Sequence, residues 1–268
     1  MLVSFTTLVG FVMASRGGVS PLPLLLTLLG TALVASGSMT LNMFLERDTD
    51  ALMLRTRGRP LPSGRLRPPE ALWFGLLLTS AGIAALALLV RPLAALVALA
   101  TWASYLFAYT PLKTRTSLAT IVGAFPGALP PVIGWTAARG SLDGGAFVLF
   151  AILFLWQIPH FLAIAWIYRD DYARGGLPML PVLDPSGHVT GRQAVANSLA
   201  LLLVSVVPSA AGMTGAFYLY GAIALGLGFT GVAVYAAVKR TRTAARALFF
   251  ASIIYLSLLS ALLLVGRS

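Results

Sequence analysis

Long apolar runs alternate with short polar segments along the whole chain. Nine such runs are separated by proline, glycine or charged residues. The hydrocarbon core of a bilayer is about 30 Å thick, and a helix needs roughly 20 apolar residues to cross it. We therefore predict a single integral membrane domain over residues 1–268, all-α and polytopic, with about nine transmembrane helices around a central cavity. The predicted helices cover residues 1–15, 21–45, 71–90, 92–110, 118–138, 144–167, 194–212, 215–238 and 245–266.

The first apolar run is shorter than the others. A helix over residues 1–15 reaches only about 22 Å at 1.5 Å per residue. It also lacks the basic start and the small-residue cleavage site of a signal peptide. We interpret it as the end of a first helix that is truncated at its N-terminus.

The composition supports a membrane protein and excludes several kinds of functional site. Hydrophobic residues make up 58% of the chain, charged residues make up 10%, and the mean hydropathy is +0.89. A soluble domain has roughly 25% charged residues, so that class is excluded. The absence of cysteine excludes disulfides, thiolate metal sites and cysteine nucleophiles, and two histidines argue against a multi-histidine metal site.

The basic residues fall almost entirely in alternate loops, which predicts the orientation in the membrane. Of the 19 lysines and arginines, only Arg16, Arg91, Arg139 and Arg267 lie on the sparse side. The positive-inside rule places the rich side in the cytoplasm, with the N-terminus cytoplasmic and the C-terminus external. No transit peptide is visible, so we expect a bacterial inner (plasma) membrane. The net charge of +11 is explained by the orientation in the membrane, so it does not indicate binding to nucleic acid.

The first acidic group lies where the second helix ends. Asn42, Glu46 and Asp50 are spaced four residues apart, which puts their oxygen atoms along one helical stripe, while Asp48 is offset. Hard oxygen donors at this spacing suit Mg²⁺. Arg47 lies among them, and Arg55, Arg57 and Arg59 follow at once. Guanidinium groups pair bidentately with phosphate oxygens, so the segment predicts a site for a magnesium–diphosphate complex.

Two further loops carry charge to the same side. The second group follows the sixth helix and contains Tyr168, Arg169, Asp170, Asp171 and Arg174. We expect the two acidic groups, from two loosely similar halves of the chain, to share the cavity. Lys113 and Arg115 add cations after the fourth helix, and the glycines and prolines of the fifth helix predict that it bends around a ligand.

Three segments resemble the UbiA superfamily of intramembrane prenyltransferases, specifically its haem O synthase (protohaem IX farnesyltransferase) branch. They are residues 42–64, with ERDTDALMLRTRGRPLPSG, residues 109–135, and residues 156–182, with PHFLAIAWIYRDDYARGGLPMLP. Most relatives have an Asn-Asp pair at the start of the first motif; here Met43 replaces that Asp, and Glu46 and Asp50 take the later acidic positions. The resemblance covers nearly the whole chain.

The resemblance implies transfer of the farnesyl group of farnesyl diphosphate to a vinyl group of haem B, with addition of water, to give haem O and diphosphate. It implies Mg²⁺ as cofactor, haem B as substrate, and association with a haem A synthase or a terminal oxidase assembly. The expected metal ligands are Asn42, Glu46, Asp48, Asp50, Asp170 and Asp171. The expected catalytic residues are Asn42, Glu46, Asp50, Asp170, Asp171 and Lys113. The expected diphosphate ligands are Arg47, Arg55, Arg59, Lys113, Arg115 and Arg174. The expected walls of the haem or prenyl cavity are Tyr105, Tyr109, Trp156, His160, Phe161 and Tyr168.

Other interpretations stay open at this point. The acceptor could be a quinone precursor or a chlorin, and broken helices with a repeat also occur in secondary transporters. Ionisable groups at helix ends favour an enzyme over a transporter. His160 is either a haem contact or a histidine satisfied by a neighbouring helix, His188 is more typical of a surface residue, and residues 239–246 are typical of an anchor on anionic lipid.

Overall fold

The computed structural model describes residues 1–15 and 17–267. Within these residues, eight helical segments are long and apolar enough to cross a membrane, and an apolar helix at Leu2–Ala14 is shorter. The prediction of about nine helices is confirmed. The helices are α1 Leu2–Ala14, α2 Pro21–Leu45, α3 Arg47–Leu52, α4 Pro68–Ala85, α5 Pro92–Ala103, α6 Thr110–Leu112, α7 Ala119–Gly127, α8 Pro130–Arg139, α9 Gly144–Ile167, α10 Arg169–Arg174, α11 Leu180–Leu183, α12 His188–Ser205, α13 Val207–Ala210, α14 Ala216–Lys239 and α15 Arg242–Val265.

The long helices form a closed bundle in which α9 packs against α7, α8, α12 and α15. Helix α1 packs on α8 and also contacts α15. Arg267 closes this seam, because its guanidinium donates to the carbonyl oxygens of Val12 at 2.8 Å and Ser15 at 2.7 Å. The first and last helices are therefore held together directly.

Small residues bring α2 and α4 into close contact. A side chain at Gly37 would overlap Thr79, and one at Gly82 would meet the backbone of Gly30. In lipid there is little hydrophobic gain from joining two helices, so close backbone approach and dispersion hold them together. The contact between α2 and α4 therefore fixes the position of the polar C-terminal end of α2.

Two irregular segments shape the interior. The fifth predicted span is broken into α7 and α8 around Ala128 and Leu129, as its prolines and glycines indicate. Residues Ser104–Tyr109, between α5 and α6, form a π-helical segment. A π turn widens the helix locally and often occurs at functional sites. Here it carries Tyr105 and Tyr109.

Three helices begin earlier than the apolar runs predict. Helix α4 begins at Pro68, α12 at His188 and α15 at Arg242, so each adds a polar first turn beyond the apolar segment. These turns are stabilised by local caps: Glu70 accepts from the amide of Arg67, and Thr241 accepts from the amide of Ala244. Asp184 accepts from the amide and the hydroxyl of Thr190. Hydropathy marks the apolar part of a helix, whereas capping decides where it starts.

Candidate functional site

A charged cavity of about 210 Å³ lies at one end of the bundle. The end of α2, helix α3, the loop after α3, the end of α6 and helix α9 surround it. Asn42, Glu46 and Asp50 all line it, as the four-residue spacing predicts for one helical stripe. The sequence-predicted acidic, basic and aromatic loops therefore meet at the same end.

Each of the two carboxylates in this cavity is paired with one cation. Lys113 Nζ lies 2.8 and 3.1 Å from the two oxygens of Glu46. Arg59 donates to Asp50 at 2.7 Å, and Asp50 is only 1% exposed. Burial opposes the charge on Lys113, but the neighbouring Tyr109 and Glu46 outweigh it and raise the pKa of the ammonium above its ordinary value. The cavity thus holds two ion pairs side by side.

Local hydrogen bonds set the positions of these groups. The hydroxyl of Thr56 donates to the carbonyl oxygen of Asp50 at 2.9 Å, which folds the loop back and brings Arg59 to the Asp50 carboxylate. The amide nitrogen of Asn42 donates to the hydroxyl of Thr110 at 3.1 Å. With its nitrogen engaged there, the side-chain oxygen of Asn42 is left as a neutral acceptor for a ligand.

Asp171, expected as a metal ligand, is instead a tether. One oxygen accepts from the amide of Leu54 at 2.8 Å and from Arg174 at 2.6 Å, and the other accepts from the amide of Arg55 at 3.0 Å. Burial alone would raise the pKa of Asp171, but these hydrogen bonds outweigh it and lower the pKa. Asp171 does not line the charged cavity; it lines a neighbouring pocket and fastens α10 to the first loop.

Asp48 and Asp170 are not brought to the cavity either. Their side chains are 89% and 83% exposed, and within residues 1–15 and 17–267 each is paired only with the arginine before it, at 3.8 and 3.6 Å. Across residues 1–15 and 17–267 no group of three acidic or histidine side chains is close enough to hold a metal ion. The expected cluster of five carboxylates is therefore wrong, because the bends at Glu46 and Tyr168 turn alternate acids outward. Asn42, Glu46 and Asp50 remain as one set of oxygen donors.

The six expected diphosphate ligands divide in the same way. Arg55, Arg59 and Lys113 line the charged cavity. Arg47 instead lies over the ring of Phe44, Arg115 is exposed, and Arg174 is held by Asp171. Of the six predicted diphosphate ligands, three therefore lie at the charged cavity and three lie outside it.

A second, apolar cavity of about 350 Å³ adjoins the charged one. Tyr105, Tyr109 and Phe161 line both cavities, so aromatic rings form the boundary between them. The wall of the apolar cavity includes Gly123, Pro126 and Gly127 of the broken α7. A molecule with a charged head and an apolar tail would match the two cavities together.

Trp156 and His160, expected on the cavity wall, face α15 instead. The Trp156 indole donates to the carbonyl of Ser252 at 2.7 Å, and His160 Nδ1 lies 2.7 Å from the Ser252 hydroxyl. The His160 ring stacks between Trp156 and Phe249, with centroids 4.8 and 5.1 Å away. The prediction that these two side chains line the cavity is wrong. Gln157 and Phe161 occupy the side of α9 that faces the cavity, so the residues that precede each of them point elsewhere.

Sequence reasoning missed several residues at the site. Thr110 orients Asn42, and Gln157 lines the apolar cavity. Tyr172 lines the charged cavity, and the guanidinium of Arg55 lies 5.3 Å from the ring centroid of Tyr168 and 5.6 Å from that of Tyr172. Tyr168 was expected on the cavity wall, but it lies in the neighbouring pocket instead and contacts Arg55 from there. The i, i+4 spacing of Tyr168 and Tyr172 was the available signal.

The sequence profile of the UbiA prenyltransferase family matches residues 3–258. The chain belongs to this family. It is 52% identical to a protoheme IX farnesyltransferase of Solibacter usitatus over 92% of this chain and 84% of that protein. It is 48% identical to a protoheme IX farnesyltransferase of Sorangium cellulosum, over 97% and 92% of the two chains.

Two solved structures have the same fold as this chain. A digeranylgeranylglyceryl phosphate synthase superposes with a TM-score of 0.83 at 17% identity, covering 99% of this chain and 92% of that one. A UbiA homologue from Archaeoglobus fulgidus bound to GPP and Mg²⁺ superposes with a TM-score of 0.69 at 16% identity, covering 97% and 94%. The family match and the close relatives make the chain an enzyme of the prenyltransferase class, and the eight long apolar helices of its described residues make it a multi-pass membrane protein.

Proposed function

We propose that this enzyme transfers the farnesyl group of farnesyl diphosphate to a vinyl group of haem B, with addition of water, to give haem O and diphosphate. The observation that carries the reaction class is the pair of joined cavities, one charged and one apolar, with an aromatic boundary. The acceptor is supported by relatives named protoheme IX farnesyltransferase, 48–52% identical over nearly the whole chain.

The charged cavity binds the diphosphate. Arg55 and Arg59 offer planar guanidinium groups that match phosphate oxygens bidentately, and Lys113 adds a compact ammonium. As the bond between farnesyl C1 and the diphosphate oxygen breaks, negative charge grows on the leaving group. Donors fixed in advance at that position lower the barrier, because they need no reorganisation during the reaction.

Asn42, Glu46 and Asp50 would hold Mg²⁺. Two carboxylates and one amide oxygen on a single stripe fit this ion, which is usually bound by one or two carboxylates, waters and substrate phosphates rather than by an all-protein cage. The bound ion would supply charge neutralisation to the diphosphate. Lys113 and Arg59 keep the two carboxylates in place in the meantime.

The apolar cavity takes the farnesyl chain. Tyr105, Tyr109 and Phe161 stand where the charged head meets the tail, so their ring faces are available to the allylic cation. The ammonium of Lys113 already lies 4.9 Å from the centre of the Tyr109 ring. Exclusion of bulk water at this boundary protects the cation until the acceptor reacts.

We further propose that the charged cavity faces the cytoplasm across a bacterial inner membrane. The loops rich in arginine and lysine support this orientation. Because the chain has no cysteine, one introduced cysteine gives a clean test. A membrane-impermeant thiol reagent applied to intact cells should leave a cysteine at Ser63 unlabelled and should label one at Ser141; the reverse pattern contradicts the orientation.

The decisive experiment is mass-resolved product analysis. Purified protein is incubated with haem B, farnesyl diphosphate and Mg²⁺, with an EDTA-treated sample in parallel. A hydroxyethylfarnesyl haem that disappears with EDTA and returns with added Mg²⁺ is the expected result. Prenylation of an aromatic acid but not of haem would remove the haem assignment and leave the family intact.

A further inference from the structure

One buried polar side chain in the apolar cavity has no part in the steps above. Gln157 lies in α9, is 4% exposed and lines this cavity. Its nitrogen donates to the carbonyl oxygens of Leu153 at 3.0 Å and Ala124 at 3.3 Å. Because both partners are acceptors, the amide cannot be turned over without setting oxygen against oxygen. The orientation of its oxygen is therefore fixed.

The side-chain oxygen of Gln157 has no hydrogen-bond donor among residues 1–15 and 17–267. Space for it exists only because residue 127 is glycine: a Cβ atom at Gly127 would overlap this oxygen. Gly127 is the last residue of α7, at the break before α8. The break and the glycine together leave an amide oxygen open to the cavity.

Two other polar side chains on this wall are satisfied locally, whereas the buried hydroxyl of Thr31, also on this wall, has no hydrogen-bond partner among the described residues. The hydroxyls of Ser38 and Thr101 donate to carbonyl oxygens of their own helices, at 2.7 and 2.8 Å. An acceptor that faces a cavity without a protein donor is costly to leave unpaired, and a bound water molecule commonly supplies the missing donor. A water molecule that donates one hydrogen to an amide oxygen keeps its own lone pairs free.

We propose that Gln157 holds the water molecule that becomes the hydroxyl group of haem O. This inference rests on the proposed function. The bond from farnesyl C1 to diphosphate breaks, and its electron pair leaves with the diphosphate. The vinyl π electrons form the new carbon–carbon bond to C1, which leaves a cation on the vinyl carbon next to the ring. The oxygen of the held water bonds to that carbon, and the proton it loses passes to the released diphosphate.

The position of Gln157 separates this water from the ionising bond. Phe161 is four residues later on the same face of α9, about 6 Å further along the axis, and belongs to the aromatic boundary. The water therefore lies about one helical turn deeper than the boundary, on the apolar side. The acceptor cation forms two bonds from farnesyl C1, so it meets this water at the edge of the apolar cavity, while the diphosphate stays in the charged cavity.

The test is the ratio of two products of one reaction. Without a placed water, the cation on the acceptor loses a proton from the neighbouring carbon and gives an alkene lighter by one water. Gln157→Met keeps the length of the side chain and removes the acceptor. We expect the ratio of alcohol to alkene to fall about tenfold, the effect of losing one hydrogen bond to a reacting group.

Gly127→Ala gives an independent route to the same outcome, since the methyl group takes the space beside the amide oxygen while Gln157 stays. Ser198→Ala, which removes a buried hydroxyl from α12 that lines neither cavity, is the matched control and should keep the wild-type ratio. An unchanged ratio in folded Gln157→Met or in folded Gly127→Ala overturns the role of Gln157. If the wild-type enzyme makes no farnesylated haem, the proposed function fails instead, and the two failures are thereby told apart.

Discussion

The two acidic loops have nearly the same composition but do different work. The first, around Glu46 and Asp50, turns its carboxylates into the charged cavity, each beside one cation. The second keeps Asp171 outside that cavity, where two backbone amides and Arg174 saturate its oxygens. Acidic residues beside arginines can therefore form either a ligand site or a clamp.

The difference lies in the partners available to each carboxylate. Side-chain cations can pair with the proposed diphosphate when it binds, before the reaction begins, and so leave their carboxylates to the proposed Mg²⁺. The backbone amides of Leu54 and Arg55 cannot move without unfolding the loop that carries Arg55 and Arg59. The second loop thus holds the first in its working shape, and four pairs of variants can break or sharpen this comparison.

The largest effect is expected at Asp50. Asp50→Asn removes a buried charge that positions Arg59 and would bind Mg²⁺, so kcat should fall about a hundredfold to a thousandfold. Asp48→Asn, two residues away and exposed, is the matched control and should stay within about twofold of wild type. Steady-state kinetics in detergent checks both, with circular dichroism to confirm folding. Equal loss in the two variants would mean that loop charge, not cavity geometry, matters.

Lys113 and Arg115 form the next pair. Lys113→Gln leaves the half-buried Glu46 without its cation and removes a proposed diphosphate ligand, so we expect KM for farnesyl diphosphate to rise about tenfold to a hundredfold. The pKa of Lys113 is raised, so the ammonium stays charged through neutral pH, and its ion pair is lost only at strongly alkaline pH. Arg115→Gln, at an exposed position, should change KM less than twofold; a larger change would bring Arg115 into the site.

Much of the fold follows from the sequence for a plain physical reason. A bilayer demands about 20 apolar residues per span, so hydropathy reveals each long helix and its approximate bounds. The helix starts at Pro68, His188 and Arg242 were missed because polar caps extend helices beyond the apolar layer. The bend in the fifth span was predictable because proline and glycine disrupt a helix locally.

The site was predictable where the local spacing survives in the structure. Asn42, Glu46 and Asp50 all line the charged cavity, because the bend at Glu46 between α2 and α3 keeps the three on the same side. Trp156 and His160 differ from Gln157 and Phe161 by one step around α9, and only the packing of α15 decides which pair faces the cavity. The clamp at Asp171 joins segments more than 100 residues apart, so no local pattern could show it.

A smaller effect, on stability rather than chemistry, is expected at Asp171. Asp171→Asn weakens three hydrogen bonds to a charged acceptor and should lower the free energy of unfolding by about 1.5–3 kcal/mol. Because the folded pKa of Asp171 is lowered, its contribution is present above the unfolded pKa of about 4 and is lost as pH falls through the folded value.

Thermal unfolding from pH 7 down to pH 3 measures this contribution. The difference between wild type and Asp171→Asn should be largest at neutral pH and should shrink on acidification. Asp170→Asn, next in sequence but exposed, should unfold like wild type throughout. A thousandfold loss of kcat in Asp171→Asn without loss of stability would instead return this residue to the metal site.

The smallest expected effect concerns how the segment held by Asp171 positions the side chain of Arg55. The Tyr172 hydroxyl accepts from Arg55 at 3.4 Å, which is long for a hydrogen bond, whereas the guanidinium lies over both the Tyr168 and Tyr172 rings. Stacking of this kind contributes about 0.5–1 kcal/mol at exposed sites. Tyr172→Phe keeps the ring and should leave KM for farnesyl diphosphate within about 1.5-fold, while Tyr172→Leu should raise it about threefold. Equal KM values in the two variants would show that the ring does not hold Arg55, and a large effect of Tyr172→Phe would assign the hydroxyl to substrate.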